Sequence, residues 1–452
     1  MLASYHFNRL RLTVILTMSA IDYQHTFKSL DSLLEALSPL WQMVAFECDH
    51  LPWQQAFPHL AQKVWQIPDT DIDTIDADQH LLVHTLLPSL ITDLKQSSHL
   101  HLAHIIEHLS LLVFTLPKST INPSIPQQFA QQSAQQQNDL AHFSAHIKGR
   151  KWQQITAFAA QIDPQLQTKL TALPILEWCA GKGHLGRLVA KQQQVNVTSL
   201  EWQTNLCEQG QAFANQWQLP QRFICADAFA PLNPNDKVFY PQQHAIALHA
   251  CGDLHVRLIQ LATHANTQAI SMSPCCYHLI QHSHYQPLST QVKASKLKLA
   301  RHDLQLPLQQ SVIASPKQQA LRLQEVAWRL GFDTLQRQIR GINAYLPVPT
   351  IKQSQLSGSF TDFCLWAANQ KQLQIPNDID FDSFLQSGIA RQRLTKRIDL
   401  VAHLFRRALE AWLLLDRVCF LQQQGYEVSL SEFCANSVTP RNAFIQAIKT
   451  TA

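Results

Sequence analysis

Leu176-Glu177-Trp178-Cys179-Ala180-Gly181-Lys182-Gly183-His184-Leu185-Gly186 holds three of the 11 glycines of this 452-residue chain within six positions. The apolar run Pro174–Trp178 before it has strand character, and residues 184–193 after it have helical composition. Glycine lets the backbone turn sharply and approach a ligand, and a helix N-terminus offers unpaired N–H groups. An ordinary strand–helix turn would not need such a cluster in so glycine-poor a chain. Outward from this loop, short β-type runs (Val195–Glu201, Arg222–Asp227, Ala245–His249, Gln268–Ser273) alternate with helical segments 203–217 and 253–266. That alternation indicates an α/β fold with a parallel, doubly wound sheet.

The spacing G-x-G-x-x-G with Glu201 after the second strand fits a dinucleotide fingerprint as well as a methyl-donor loop. Two residues favour S-adenosylmethionine over a nicotinamide. Glu177 places an acid near the end of the first strand, where dinucleotide binders prefer apolar residues; such an acid faces the methionine portion of the cofactor, directly or through water. Asp227-Ala228 ends the third strand, where a carboxylate suits the adenine amine. The expected cofactor set is Glu177, Cys179, Gly181, Gly183, Glu201, Asp227, Ala228 and His249, with Glu201 on the ribose hydroxyls. A nicotinamide-dependent oxidoreductase is the alternative.

The fourth strand runs into Leu248-His249-Ala250-Cys251-Gly252-Asp253-Leu254, and the fifth into Ser271-Met272-Ser273-Pro274-Cys275-Cys276-Tyr277-His278. In a doubly wound sheet the loops at the carboxyl ends of the strands surround the ligand crevice. Both should face the transferable methyl group. Methyl transfer from a sulfonium needs in-line positioning in a dry pocket, and a base only where the acceptor must lose a proton. Asp253, Cys275, Cys276, Tyr277 and His278 are the catalytic candidates, with His278 best suited near neutral pH. The cysteines admit three readings: small wall residues, a nucleophile adding to a pyrimidine ring, or zinc ligands together with His249 and His278. Adjacent cysteines seldom share one tetrahedral ion, so no metal is expected.

These motifs resemble a family of methyltransferase-like proteins related to the ribosomal RNA adenine dimethylase domain-containing and glutathione S-transferase C-terminal domain-containing proteins. The shared pattern is an acid-x-x-x-G-K-G-x-L loop, a later H-x-C-G-D-L, and C-C-Y-H or C-C-Y-N. This chain shows it at Glu177–Leu185, His249–Leu254 and Cys275–His278, with a weaker echo at Leu415-Asp416-Arg417, Gly425 and Thr439-Pro440-Arg441-Asn442. More distantly, the two cysteine loops are similar to those of tRNA 2′-O-methyltransferases acting on the acceptor stem, whose extra Cys/His zinc modules are not found here. The resemblance implies a Rossmann-like class I methyltransferase acting on RNA (tRNA or rRNA). A protein methyltransferase and a cofactor-binding scaffold without turnover are the alternatives.

The expected organisation is a disordered extension over 1–23, a helical N-terminal domain over 24–116, a linker over 117–147, the methyltransferase domain over 148–370 and a helical C-terminal extension over 371–452. Leu30, Leu33, Leu34, Leu37 and Leu40 recur at helical spacing, as do Leu81, Leu82, Leu86, Leu87 and Leu90. Pro117, Pro123, Pro126 and the glutamines from Gln127 onward suit a linker. Leu400, Val401, Leu404, Phe405, Ala408, Leu409, Trp412 and Leu413 form a C-terminal apolar stripe. Arg9 and Arg11 before Leu12–Leu16 imitate a signal peptide too short to be one, and Met18 is read as the true start, with residues 1–17 an unstructured extension.

Ten scattered cysteines suggest free thiols in a reducing cytoplasm. No apolar run reaches about 18 residues, so no membrane helix is expected. The net charge of +4 is unevenly spread: −7 over residues 1–145 and +11 over the rest. The basic residues at 293–301 and 391–407 are candidate RNA contacts or solvated faces in equal measure. Trp152, in a basic segment, caps the cofactor pocket or fills the core. His104-Ile105-Ile106-Glu107-His108 matches H-x-x-E-H, but among 22 histidines such a match arises readily by chance.

Overall fold

The computed structural model describes residues 22–97, 104–105, 108–119, 142–145, 147–163, 172–309, 316–351 and 356–450. The proposed extension around Met18 and nearly all of the Pro/Gln-rich linker lie outside these residues, as do Ile106 and Glu107 of the H-x-x-E-H match.

Seven strands make one sheet in the order β3-β2-β1-β4-β5-β7-β6. They are β1 Ile175–Trp178, β2 Val197–Glu201, β3 Gln221–Cys225, β4 His244–Cys251, β5 Ala269–Cys275, β6 Tyr426–Glu432 and β7 Ala443–Lys449. The first five are parallel, and β7 runs antiparallel between β5 and β6. Strand order reverses between β1 and β4, so a crevice opens beyond their carboxyl ends, the usual ligand position in such sheets. This is the Rossmann-like class I methyltransferase architecture with additional helices.

Successive strand residues face opposite sides, and two cores result. Leu176, Trp178, Ala245, Ala247, Ile270 and Met272 face one side. They share a core with the N-terminal helices α1 Tyr23–Ala36, α2 Pro58–Gln66, α3 Ile72–Ala77 and α4 Gln79–Gln96. Ile175, Val197, Ile246 and Ala269 face the other side. There they meet α5 Gly149–Gln161 and α6 His184–Gln193 through Phe158, Leu185 and Leu188. The remaining crossover helices are α7 Thr204–Gln216 and α8 Asp253–His264. A third core, built on Trp328, Phe332, Phe360 and Phe363, unites α10 Pro316–Arg340, α11 Phe360–Gln370 and α12 Phe381–Ala402. The short α9 Thr290–Lys293 precedes them.

Three boundaries differ from expectation. The N-terminal helices are not a separate domain. Their leucines pack against α13 Arg406–Gln423, whose apolar stripe is buried throughout. The C-terminal extension is not helical to its end. After Gly425 (φ 78°), Tyr426, Val428 and Leu430 alternate inward, and β6 and β7 complete the sheet of the catalytic domain. Residues 142–147 are not linker: Phe143 is buried under the Arg187 guanidinium, 4.5 Å from its ring centre. At the other edge of that segment, Glu432 N–H donates to the Pro117 carbonyl at 2.8 Å.

The uneven charge is resolved inside the molecule. Asp69 accepts from Arg397 at 2.7 Å and Arg393 at 2.6 Å, and Asp73 pairs with Lys396 at 2.8 Å. Asp76 holds His403 at 2.7 Å and Arg406 at 3.2 Å. Arg391 binds buried Asp333, and Arg407 binds Glu410. The basic stretch 391–407 therefore meets the acidic segment 69–76 and other internal carboxylates, and is withdrawn as an RNA surface. Among the described residues no helix is long and apolar enough to cross a membrane.

Candidate active site

The glycine loop leaves β1 and enters α6 with Gly181 at φ 59° and Gly183 at φ 63°, left-handed values that cost ordinary residues energy. A Cβ on Gly181 would stand in open space, so this stretch of backbone borders the crevice with nothing over it. A Cβ on Gly183 would overlap the Phe223 ring and the Gln221 amide, and one on Gly186 would overlap Glu177 Oε2. The loop is braced by Glu201, at the end of β2, whose Oε2 accepts from Gly181 N–H at 2.9 Å and Oε1 from Gln203 N–H at 3.1 Å.

Glu177 lies differently from expectation. Its carboxylate is 4 % exposed and points beneath the loop, not into the crevice. It accepts from Ser199 Oγ at 2.7 Å and from the Leu185 and Gly186 amides. Burial pushes its pKa up to about 7, against the opposing pull of the Ser199 hydroxyl, those amides and Lys151. Donors at the start of α6 satisfy the group before any cofactor can reach it. Its role is to hold the loop from below.

On the adenine side, Asp227 is exposed and turns the chain by accepting from Phe229 N–H at 2.9 Å, while Ala228 is buried. Two large aromatics stand out in solvent here, Trp202 (67 % exposed) after Glu201 and Phe229 (38 %) after Ala228. Such flat apolar faces flanking a carboxylate pair suit an adenosine. The sequence reading missed both; their position one and two residues after the two acids was the available signal.

At the ends of β4 and β5 the catalytic candidates separate. His249, at φ 68°, carries Nε2 2.6 Å from Gln154 Oε1 of α5. With the amide so assigned, Nε2 bears the proton and Nδ1 presents a lone pair. Burial, then Lys151 and Arg441, hold the His249 pKa below the ordinary imidazole value. Cys179, at φ 56°, is pushed up to about 12 by burial and by Glu201. Cys251, Cys275 and Cys276 have their sulfurs within 4.8 Å of one another, and Cys251 lies 3.6 Å from Cys275. Hydrogen bonds from Cys251 and Cys275 pull the Cys276 thiol down, while those same contacts and burial push Cys275 up. His278 is half-buried beside them, with Nδ1 buried and unbonded among the described residues.

Two candidates have structural surroundings. Tyr277 is 2 % exposed and packs in the core beside His255 and Arg417. Asp253 accepts from Gln281 N–H at 2.7 Å, tying the two loops together. Gly252 (φ 57°) allows that closeness, because a Cβ there would overlap the Leu279 carbonyl. Trp152 is half-buried and packs against the second core beside Phe143.

Beside His249 lies a cleft of about 340 Å³ lined by Arg150, Gln154, Leu308, Thr439 and Arg441. Arg150 and Arg441 of its lining are exposed, as is Lys151, which acts on His249, and none of the three pairs with a carboxylate among the described residues. Gln154 went unread in the sequence, and so did the meeting of the basic segment before Trp152 with Thr439-Pro440-Arg441-Asn442, since one comes from the start of α5 and the other from the turn between β6 and β7.

Residues 150–283 match the family described as a methyltransferase domain. Among solved structures, a tRNA (uracil-54, C5)-methyltransferase from Pyrococcus abyssi in complex with S-adenosyl-L-homocysteine is 18 % identical, covering 26 % of this chain and 28 % of that one, with a TM-score of 0.21. The magnesium protoporphyrin IX methyltransferase of Synechocystis PCC 6803, with the same molecule bound, is 12 % identical over 33 % and 70 %, TM-score 0.22. The plantazolicin methyltransferase BpumL is 14 % identical over 37 % and 61 %, TM-score 0.23. The chain thus spans 28 % of the length of the first of these relatives, and 70 % and 61 % of the other two. Likenesses this low carry no weight; the family match, the strand order and the glycine loop do. On those grounds residues 150–283 form an S-adenosylmethionine-dependent methyltransferase domain of class I architecture.

Proposed function

We propose that the protein transfers a methyl group from S-adenosylmethionine to RNA, a tRNA or an rRNA. The observation that carries the acceptor is the cleft beside His249, lined by the exposed Arg150 and Arg441, neither of which pairs with a carboxylate among the described residues. Unpaired cations at the mouth of a crevice attract phosphates. The motifs at Glu177–Leu185, His249–Leu254 and Cys275–His278 support kinship with the methyltransferase-like proteins related to ribosomal RNA adenine dimethylase domain-containing and glutathione S-transferase C-terminal domain-containing proteins.

The open backbone at Gly181, the Glu201 carboxylate and the Asp227 pair with Trp202 and Phe229 are the groups that would hold the cofactor. Bound there, the cofactor supplies an activated sulfonium methyl. His249 takes up at Nδ1 the proton of an acceptor that must lose one, oriented by Gln154 through Nε2. The helical layers over both faces of the sheet help to keep water out.

Calorimetry of the full chain with S-adenosylmethionine should show saturable binding that Gly183→Arg abolishes, since the new side chain collides with Phe223 and Gln221. Absence of binding to the wild type refutes the cofactor reading. Labelled cofactor incubated with bulk RNA and bulk protein from a strain lacking the gene then identifies the acceptor. Label entering protein alone refutes RNA; label entering neither pool, with binding intact, favours a scaffold without turnover.

A further inference from the structure

In an extended strand, Cys275 and Cys276 would point to opposite faces of the sheet, and one ion could not hold both. The chain does not stay extended. Cys276 takes a left-handed φ of 51°, and this turn swings its side chain to the same side as Cys275. Across the sheet, Cys251 is the register partner of Cys275, and its strand is shifted between Leu248 and Cys251 so that its sulfur meets theirs. Three sulfurs from two strand ends thus converge within 4.8 Å. Cys251 and Cys276 are half-buried, and Cys275 is buried. A tetrahedral zinc with Zn–S bonds of about 2.3 Å needs sulfurs about 3.8 Å apart; the Cys251–Cys275 separation is 3.6 Å. Thiols serving only as small wall residues would need neither the convergence nor the strained turn.

We propose that Cys251, Cys275 and Cys276 bind one zinc ion as three thiolates, with the fourth coordination position open to the cleft at Arg441. Binding forms three S–Zn bonds and releases the three S–H protons to solvent, with no change of oxidation state. The resulting centre carries one net negative charge, and Arg441 is the cation acting on both Cys251 and Cys276. Three protein ligands and one vacant position describe a catalytic zinc, which eases proton loss from a heteroatom bound in the fourth place. That the vacant position faces the methyl donor rests on the methyltransferase reading; the metal binding does not.

The test uses the reduced full-length protein titrated with Co²⁺, then Zn²⁺, with S-adenosylmethionine calorimetry on the same samples. One equivalent of cobalt should bind with a thiolate-to-cobalt charge-transfer band, which zinc displaces. Cys251→Ser, Cys275→Ser and Cys276→Ser should each lose the band, whereas Cys364→Ser and Cys434→Ser, buried elsewhere, should keep it. A wild type that binds S-adenosylmethionine but develops no band overturns the zinc site alone, as does a band that survives in all three variants. Where Cys275→Ser fails to fold, alkylation of the wild type with and without zinc decides. Protection confined to the three cysteines supports the site, and labelling unchanged by zinc refutes it.

Discussion

His249 holds a left-handed backbone, a 2.6 Å bond to Gln154 and a pKa below the ordinary imidazole range, caused by burial first and then by Lys151 and Arg441. These features act together. A lowered pKa keeps the ring neutral at physiological pH, and the Gln154 contact fixes which nitrogen is basic. Were the acceptor to lose a proton in the reaction, kcat should stay level as pH falls through about 6.5, the ordinary imidazole value, and drop only at lower pH. His249→Ala should lower kcat by about 100-fold or more, leaving the cofactor Kd nearly unchanged. Gln154→Ala should move the acid limb of the pH profile; an unmoved limb would remove His249 from the base role. Glu177 makes a second prediction. Its folded pKa of about 7 exceeds that of an unfolded glutamate, so the folded state binds the extra proton between about pH 4.5 and 7. Stability should therefore fall as pH rises through that window, by roughly 3 kcal/mol if the full shift is expressed. In Glu177→Gln, denaturant midpoints should lose that slope.

At the scale of elements, the loop after β5 owes its position to α13. Asp416 accepts from Tyr285 Oη at 2.5 Å and from the amides of Leu288 and Ser289 at 3.0 and 2.7 Å. Next to it, Arg417 is fully buried and donates to His255 Nε2 at 2.8 Å. Asp416→Ala would leave three donors and the Arg417 charge unanswered, so it should destabilise the chain by about 3–5 kcal/mol, measured by urea unfolding. A loss under about 1 kcal/mol would mean that the network is dispensable. The same elements show which parts of the fold were legible. β1, the glycine loop and α6 are local in sequence, and so are the leucine and C-terminal apolar stripes; their patterns could be read directly. β7 could not be placed, because it inserts between β5 and β6 through pairings such as Ile270 with Ala447, and no local pattern encodes a partner that distant. Gln154 and His249, 95 residues apart, were hidden for the same reason. Cys275 and Cys276 read as an awkward ligand pair because they are adjacent; the left-handed φ of Cys276, which accompanies the convergence of the sulfurs, leaves no signal in the sequence.

Across the whole molecule, charge was misread in a way that physics explains. Net charge by segment registers how many cations a region holds but not whether acids elsewhere reach them. Arg393, Lys396, Arg397 and Arg406 are paired with Asp69, Asp73 and Asp76. At 293–301, Lys296 lies 3.4 Å from Glu35 and Arg301 donates to the Ile280 carbonyl, while Lys293 and Lys298 stay exposed. Among the described residues, Arg150 and Arg441 line the cleft beside His249 without a carboxylate partner. Each phosphate contact that is removed lowers the slope of log affinity against log salt by about 0.7–0.9. Arg150→Glu with Arg441→Glu should therefore weaken RNA binding by at least about tenfold and flatten that slope by between one and two. Lys396→Glu should leave both unchanged and instead lower the unfolding midpoint, because it sets a glutamate against Asp73. Filter binding over a salt series, paired with thermal melts, separates the two outcomes. If Lys396→Glu flattened the salt slope and the cleft variants did not, RNA would approach from the helical face, and the cleft beside His249 would lose its claim to the acceptor.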